Sequence, residues 1–207
     1  MARLRFQDLP RERQQEILRI AAEEFARSGF QGTSYNQLLE RLQLGKSSAY
    51  YYFDDKRDLF LTVIEDCYAR FFEELGVLPP PTTVSEYWEF VERTSQRGFE
   101  IMQQDPTLAG LMRCLEREQA LLGELASERV LQVMNDYYVE MLRHGQRLGA
   151  VRDDVPLELL TGVARGLAVT YDRWFVLACR KPDFVGVERA ARLFSDMARR
   201  LCAPEPR

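Results

Sequence analysis

Residues 32–60, Gly-Thr-Ser-Tyr-Asn-Gln-Leu-Leu-Glu-Arg-Leu-Gln-Leu-Gly-Lys-Ser-Ser-Ala-Tyr-Tyr-Tyr-Phe-Asp-Asp-Lys-Arg-Asp-Leu-Phe, hold two short helical patterns separated by a tight turn. The first opens at Ser34, with Gln37 three residues on at a capping-box spacing, and its apolar residues are Leu38, Leu39 and Leu42. Gln43-Leu44-Gly45 interrupts it, and the second pattern runs from Lys46 to Phe53. Asp55 as N-cap, with Asp58 three residues later, then starts a helix over 56–75 striped by Leu59, Phe60, Val63, Ile64, Cys67 and Phe71.

On a helical wheel Ala49 and Phe53 share one side of 46–53, with Tyr52 on its flank. Ser47 and Tyr51 point the opposite way, with Lys46, Ser48 and Tyr50 around them. A short helix exposing Ser, Lys and Tyr suits the major groove of DNA. The hydroxyls bridge to base edges, the Tyr51 ring meets a thymine methyl, and Lys46 reaches guanine or a phosphate. Ser34 and Tyr35 sit at the N-terminus of the preceding helix, where unpaired N–H groups attract phosphate, and Lys56 lies in the first turn of the following one. Those contacts set register while 46–53 reads sequence, the division of labour of a helix-turn-helix DNA reader.

Upstream, a helix over 11–27 places Ile17, Ala21 and Phe25 on one stripe, and Ser28-Gly29-Phe30 ends it, with Gly29 at the C′ position and Phe30 folding back. Downstream, the linker Gly76-Val77-Leu78-Pro79-Pro80-Pro81-Thr82-Thr83 carries three prolines in a row and cannot continue a helix. Helical segments follow over 84–104, 106–119, 124–148, 156–180 and 185–202, the second opened by the cap and N1-proline pair Asp105-Pro106. The reading is all-α: an N-terminal three-helix helix-turn-helix domain (1–56) and a C-terminal helical ligand-binding and dimerisation domain (57–207).

The stretch Ile17 to Phe60 resembles the N-terminal domain of the tetracycline-repressor (TetR) family of bacterial transcription regulators. The matching pieces are Ile-Leu-Arg-Ile-Ala-Ala-Glu-Glu-Phe-Ala-Arg-Ser-Gly-Phe, Thr33-Ser34, Leu44-Gly45-Lys46 running into Tyr50-Tyr51-Tyr52-Phe53, then Lys56 and Leu59-Phe60. The resemblance implies base-reading or adjacent positions for Lys46, Ser47, Ser48 and Tyr51, with Asn36 near a base. It implies phosphate contacts for Tyr35, Tyr50 and Lys56. Two positions depart from the family pattern: Gln43 stands at the usual turn glycine, and Gly45 at the usual Ser or Thr before the reading helix. Gly45 caps less strongly than Ser; Gln43 implies either a left-handed backbone or a slightly different turn.

Composition bounds the alternatives. The 207 residues are 46% hydrophobic and 29% charged, as in a globular protein with a real core. No apolar run approaches the ~20 residues of a membrane span, and the polar N-terminus is unlike a signal peptide, so the expected location is cytoplasmic. Net charge is −4, yet residues 1–60 hold ten Lys/Arg against nine Asp/Glu and the remainder 18 against 23, a mild polarity that fits a DNA-facing end and an acidic body. The four scattered cysteines read as free thiols and the single histidine, His144, as a solvated residue near a helix end. No metal site, cofactor or enzymatic constellation is expected.

In the C-terminal part, residues 159–171 carry one charge, and Gly162 and Gly166, four apart, permit close approach of another helix. With the last helix they form the expected homodimer interface, represented by Gly162, Gly166, Val169, Phe194 and Met197. Two copies would present two readers to a palindrome. Trp88, Phe99, Met102, Met112, Met134, Tyr138 and Met141 are candidate lining for a hydrophobic ligand, although Met and aromatic residues at helical spacing also describe plain core. The expected function is a homodimeric regulator, a repressor released from double-stranded DNA by a small-molecule effector, with no membrane partner. The alternative is a helical ligand- or protein-binding module whose reader is non-functional.

Overall fold

The computed structural model describes residues 4–76 and 79–205, with side chains at 5–76, 79–114 and 135–205. All regular structure among them is helical: α1 (Leu4–Gln7), α2 (Arg11–Gly32), α3 (Tyr35–Arg41), α4 (Lys46–Tyr52), α5 (Lys56–Leu75), α6 (Val84–Gln104), α7 (Pro106–Leu148), α8 (Leu157–Ala178) and α9 (Val187–Cys202). They divide into two compact units, residues 1–72 with 105–131, and residues 73–104 with 132–207.

In the first unit the helical stripes read from sequence point inward, except that Phe71, the last residue of the α5 stripe, is only half-buried. Ile17, Ala21 and Phe25 of α2, Leu38 and Leu39 of α3, Leu42, Ala49 of α4, Phe53, and Leu59, Phe60, Val63 and Ile64 of α5 are buried. Gly29 takes φ 75°, and the helical backbone resumes past it to Gly32, so α2 bends where the sequence reading ends it. Phe30 does fold back: its ring lies 5.2 Å from Phe60 and 6.3 Å from Phe25. At the start of α5, Asp58 N–H donates to Asp55 Oδ1 at 2.8 Å, the N-cap expected there, and the Asp58 carboxylate reaches back to accept the N–H of Asp54 at 3.1 Å. Ser34 is the N-cap of α3, but its hydroxyl makes no cap bond.

The first four-residue helix, α1, is too short to show periodicity and was not expected. It packs on α4 through Phe6, 3% exposed, whose ring sits 4.8 Å from Phe53 and 6.2 Å from Tyr52. Also unexpected is the length of α7: one helix replaces the segments 106–119 and 124–148. A glycine inside a helix costs only about 1 kcal/mol, and no proline follows Pro106 before its end. Asp105 caps it as expected, accepting the N–H groups of Thr107 at 2.8 Å and Leu108 at 3.0 Å.

The second unit packs α6 mainly on α9, with α8 against both. Its core is Tyr87, Trp88, Val91, Leu142, Ala150, Val151, Leu160, Ala164 and Cys202. Tyr171 Oη donates to Ala190 O at 2.7 Å and ties α8 to α9. His144 is not freely solvated: it is half-buried, with Nε2 2.7 Å from the Pro81 carbonyl, so it anchors the end of the proline-rich linker. All four cysteines are free thiols; Cys67, Cys114 and Cys202 are buried and Cys179 half-buried. No helix among the described residues is long and apolar enough to cross a membrane.

Candidate nucleic-acid interface

The turn that aims α4 is built by main-chain bonds. Leu44 N–H donates to Leu39 O at 2.9 Å and Gln43 N–H to Glu40 O at 3.0 Å, a Schellman closure of α3. Gln43 sits at its left-handed position with φ 52°, the one non-glycine residue with positive φ among those described. Of the two backbone alternatives the sequence left open, the left-handed one is taken. Arg13 Nη2 donates to Leu42 O at 2.6 Å, so α2 holds the same turn from the other side. Gly45 is the N-cap of α4 without a side-chain bond.

From that turn α4 presents Lys46, Ser47, Ser48, Tyr50 and Tyr51 to solvent, with Tyr50 52% and Tyr51 47% exposed. Ala49 and Phe53 are fully buried and Tyr52 half-buried, the inside and flank assigned from the wheel. Ser34 and Asn36 are exposed at the start of α3, in the same unit. Two large tyrosine rings in water on so short a helix, beside Lys and Ser, leave an exposed surface of amphipathic groups.

Two expected phosphate contacts have more constrained settings. Tyr35 Oη is enclosed, with no protein partner, and burial beside Tyr50, Asp55 and Asp58 pushes its hydroxyl up to about 12. The Lys56 ammonium donates to Phe30 O at 2.8 Å and Thr33 O at 2.9 Å and lies 4.5 Å from the centre of the Phe30 ring. It therefore satisfies carbonyls at the end of α2, where a cation also complements the helix dipole. Glu24 on α2 receives Arg27 and Arg41; burial raises its carboxyl, but the Ser28 hydroxyl at 2.8 Å and the two guanidinium groups outweigh this and hold it below the ordinary carboxylate range.

One residue at this face had no sequence signal. The Arg5 guanidinium of α1 lies 4.2 Å from the centre of the Tyr51 ring.

The other candidate residues divide. Trp88, Tyr138 and Met141 meet around a small, partly open apolar cavity of about 30 Å³, with Tyr87, Val91, Leu142, Ala164, Phe194, Ala198 and Cys202 completing its wall. Phe99 is stacked instead on Phe175, at 4.5 Å, and Tyr171, at 5.6 Å, inside the α6–α8–α9 core. Met102 is buried on the same helix as Phe99, Met112 is half-buried in the first unit, and the Met134 side chain lies outside the described residues. Gly162, Gly166 and Val169 lie on an exposed face of α8, and Met197 on an exposed face of α9. A Cβ added to either glycine would meet nothing within 4 Å. Phe194 turns the other way, with its ring 5.3 Å from Tyr171.

Residues 17–63 match the family profile of bacterial regulatory proteins, tetR family. The HTH-type transcriptional repressor AcnR of Corynebacterium diphtheriae is 26% identical over 153 residues, 72% of this chain and 73% of that protein. Two solved structures share the fold. A TetR-like transcriptional regulator from Rhodococcus sp. RHA1 is 22% identical with a TM-score of 0.60, over 93% of this chain and 97% of that one. The transcriptional regulator FadR from Bacillus subtilis, in complex with stearoyl-CoA, is 15% identical with a TM-score of 0.66, over 88% and 96%.

Proposed function

We propose that this chain, whose N-terminal region is the DNA-binding domain of the TetR family, is a homodimeric transcriptional repressor that α4 seats in the major groove of a palindromic operator. The observation that supports this most directly is the polar and aromatic outer face of α4, held by a turn locked through Leu39, Glu40 and the Arg13–Leu42 bond. Lys46, Ser47, Ser48 and Tyr51 read bases, with Asn36 nearby. Ser34, Tyr35, Tyr50 and Lys56 hold the flanking backbone, Lys56 from a position fixed by the Phe30 and Thr33 carbonyls.

The second unit supplies the dimer and the response. Exposed Leu159, Val163, Val169 and Leu177 on α8, with Leu193, Met197 and Leu201 on α9, form an apolar surface of the kind a second copy covers. The effector enters at Trp88, Tyr138 and Met141. The cavity there has room for about one water molecule, so a ligand must displace flexible side chains to occupy it. The stearoyl-CoA of the Bacillus subtilis relative makes long-chain acyl compounds the first class to try. Release of DNA requires the effector to prefer the conformation that does not bind DNA; tight binding alone shifts nothing.

The test is selection of bound duplexes from a random library by the purified protein at about physiological salt, followed by a salt series on the enriched duplex. A palindrome bound at least ~1,000-fold more tightly than random DNA is expected. No enriched sequence, with affinity that salt removes, would mean that the reader is idle and that the second unit carries the function.

A further inference from the structure

Arg5 has no place in the reading above, yet the fold goes to some length to set it beside the recognition helix. Three contacts hold α1 there, and one further bond closes the turn that follows it. Phe6 is buried against Phe53 and Tyr52. Leu9 N–H donates to Phe6 O at 3.2 Å. Gln14, one turn into α2, donates through Nε2 to Gln7 O at 3.0 Å and to Leu9 O at 2.7 Å. Both of those carbonyls belong to the end of α1 and the turn after it, which would otherwise be left to water. The N-terminal helix is thus tied to the α2–α4 frame on one side by a ring and on the other by an amide.

The consequence falls on Tyr51. Its neighbour Tyr52 stands edge-on to it at 5.5 Å, and the Arg5 guanidinium covers its ring at 4.2 Å. A tyrosine that is 47% exposed on a seven-residue helix would otherwise sample several rotamers in water. Ordering it on binding costs side-chain entropy, which a stacked guanidinium removes in advance.

We propose that Arg5 is a positioning residue of the DNA reader: stacked on Tyr51, it holds that ring in its groove-entering rotamer, so α1 is a working part of the interface. This rests on the reading of α4 as the recognition helix. Arginine is suited to the role because its planar group stacks on an aromatic face while its edge donors remain available to solvent or phosphate.

The experiment is a double-mutant cycle on the enriched duplex, with random-sequence duplex as reference. It compares the wild-type protein, Arg5→Ala, Tyr51→Ala and the double variant. Both side chains are exposed, so folding is checked only by matching melting curves. Exposed cation–π contacts correspond to a loss of about two- to fivefold in operator affinity for Arg5→Ala. The same substitution in the Tyr51→Ala background is expected to cost nothing further. Losses that multiply, accompanied by an equal fall on random DNA and a salt slope reduced by about 1, would make Arg5 an independent phosphate contact and overturn the proposal. An Arg5→Ala protein with unchanged operator affinity overturns it as well. Failure of the underlying reading looks different: Tyr51→Ala itself would then leave operator affinity intact.

Discussion

The Tyr87 ring occupies the space that a side chain on Gly145 would need: a Cβ there would lie 2.6 Å from Tyr87 Cζ and 2.4 Å from Val151 Cγ2. Tyr87 cannot easily yield, because it is 1% exposed and its hydroxyl donates to Met141 O at 3.3 Å. Gly145 therefore sets how closely α6 approaches α7 in the second unit. Gly145→Ala is expected to destabilise the protein by about 1–3 kcal/mol despite alanine's better helix propensity, because the clash is with core rather than solvent. Urea melts of the two proteins would show it as a lower midpoint with an unchanged slope. An equal or higher midpoint would mean the helices separate without cost.

Gln43 predicts the opposite sign. At φ 52° an L-residue brings its Cβ against its own backbone, at a cost of about 1–2 kcal/mol that glycine does not incur. Gln43→Gly is expected to recover about 1 kcal/mol, part of it offset by the greater freedom of glycine in the unfolded chain. The gain belongs to the first unit, so thermal melting followed through that unit is the readout. Operator affinity should stay within about twofold, since the Leu44–Leu39 bond already fixes the turn.

How far the chain discloses itself depends on the range of the physics involved. Ile17, Ala21 and Phe25, Leu38 and Leu39, Ala49 and Phe53 declare their buried faces through spacing alone, and Asp55 with Asp58 declares a helix start, because those signals are local. Phe6 could not be placed in this way: α1 has four residues, and its burial is decided by Tyr52 and Phe53, more than forty positions away. Lys56 was legible as a cation in a first turn, but the carbonyls it would find, those of Phe30 and Thr33, were not. The cavity was least legible. Trp88 lines it while Phe99, on the same helix, joins a stack of rings, and nothing in their composition separates the two.

Lys46→Ala and Tyr51→Ala directly test the proposal that α4 is the recognition helix. Each side chain is exposed, so neither substitution should move stability by more than about 0.5 kcal/mol. Each is expected to weaken the enriched duplex by roughly 1–3 kcal/mol, about 5- to 150-fold, while binding to random DNA falls much less for Tyr51→Ala than for Lys46→Ala. Equilibrium binding at two salt concentrations separates the two residues. Unchanged affinity in both would remove α4 from the interface.

Asp172 is expected to make the stability of the protein depend on pH. It is half-buried on α8, and burial strips its carboxylate of water and pushes it up to about 7. The unfolded chain releases that proton near its ordinary value of 3.8, so between the two values the folded state holds more protons than the unfolded one. This carboxyl's contribution to stability is thus undiminished below the unfolded value, is lost as pH rises towards 7, and stays lost above it. Asp172→Asn, which keeps the shape without the charge, is expected to be more stable than the wild type at pH 8 by about 1–3 kcal/mol, below the full value of the shift because the group retains some solvent. The difference should vanish near pH 4. Melts across that range check both the sign and the window.

The apolar surface of α8 and α9 permits a test that separates partner from protomer. Within one chain, a Cβ on Gly166 meets nothing within 4 Å, and the helix is otherwise continuous on both sides of it. Gly166→Leu should therefore fold at least as well as the wild type in isolation, gaining up to about 1 kcal/mol of helix propensity. If a second copy packs its helices across Gly162 and Gly166, the same leucine intrudes where backbones meet, and repacking such a contact costs about 1–3 kcal/mol, or 5- to 150-fold in the dissociation constant per substituted site. Because a two-fold axis places the change on both copies, the dimer is penalised at both. Sedimentation over a concentration series is expected to show Gly166→Leu dissociating at concentrations where the wild type remains paired, with a helical spectrum unchanged. Loss of the palindrome's advantage over a single half-site should follow from the same variant, since half-site coupling needs both readers on one particle. A Gly166→Leu protein that remains as tightly paired as the wild type would place the interface elsewhere on the second unit and leave the apolar face of α8 without a second copy to cover it.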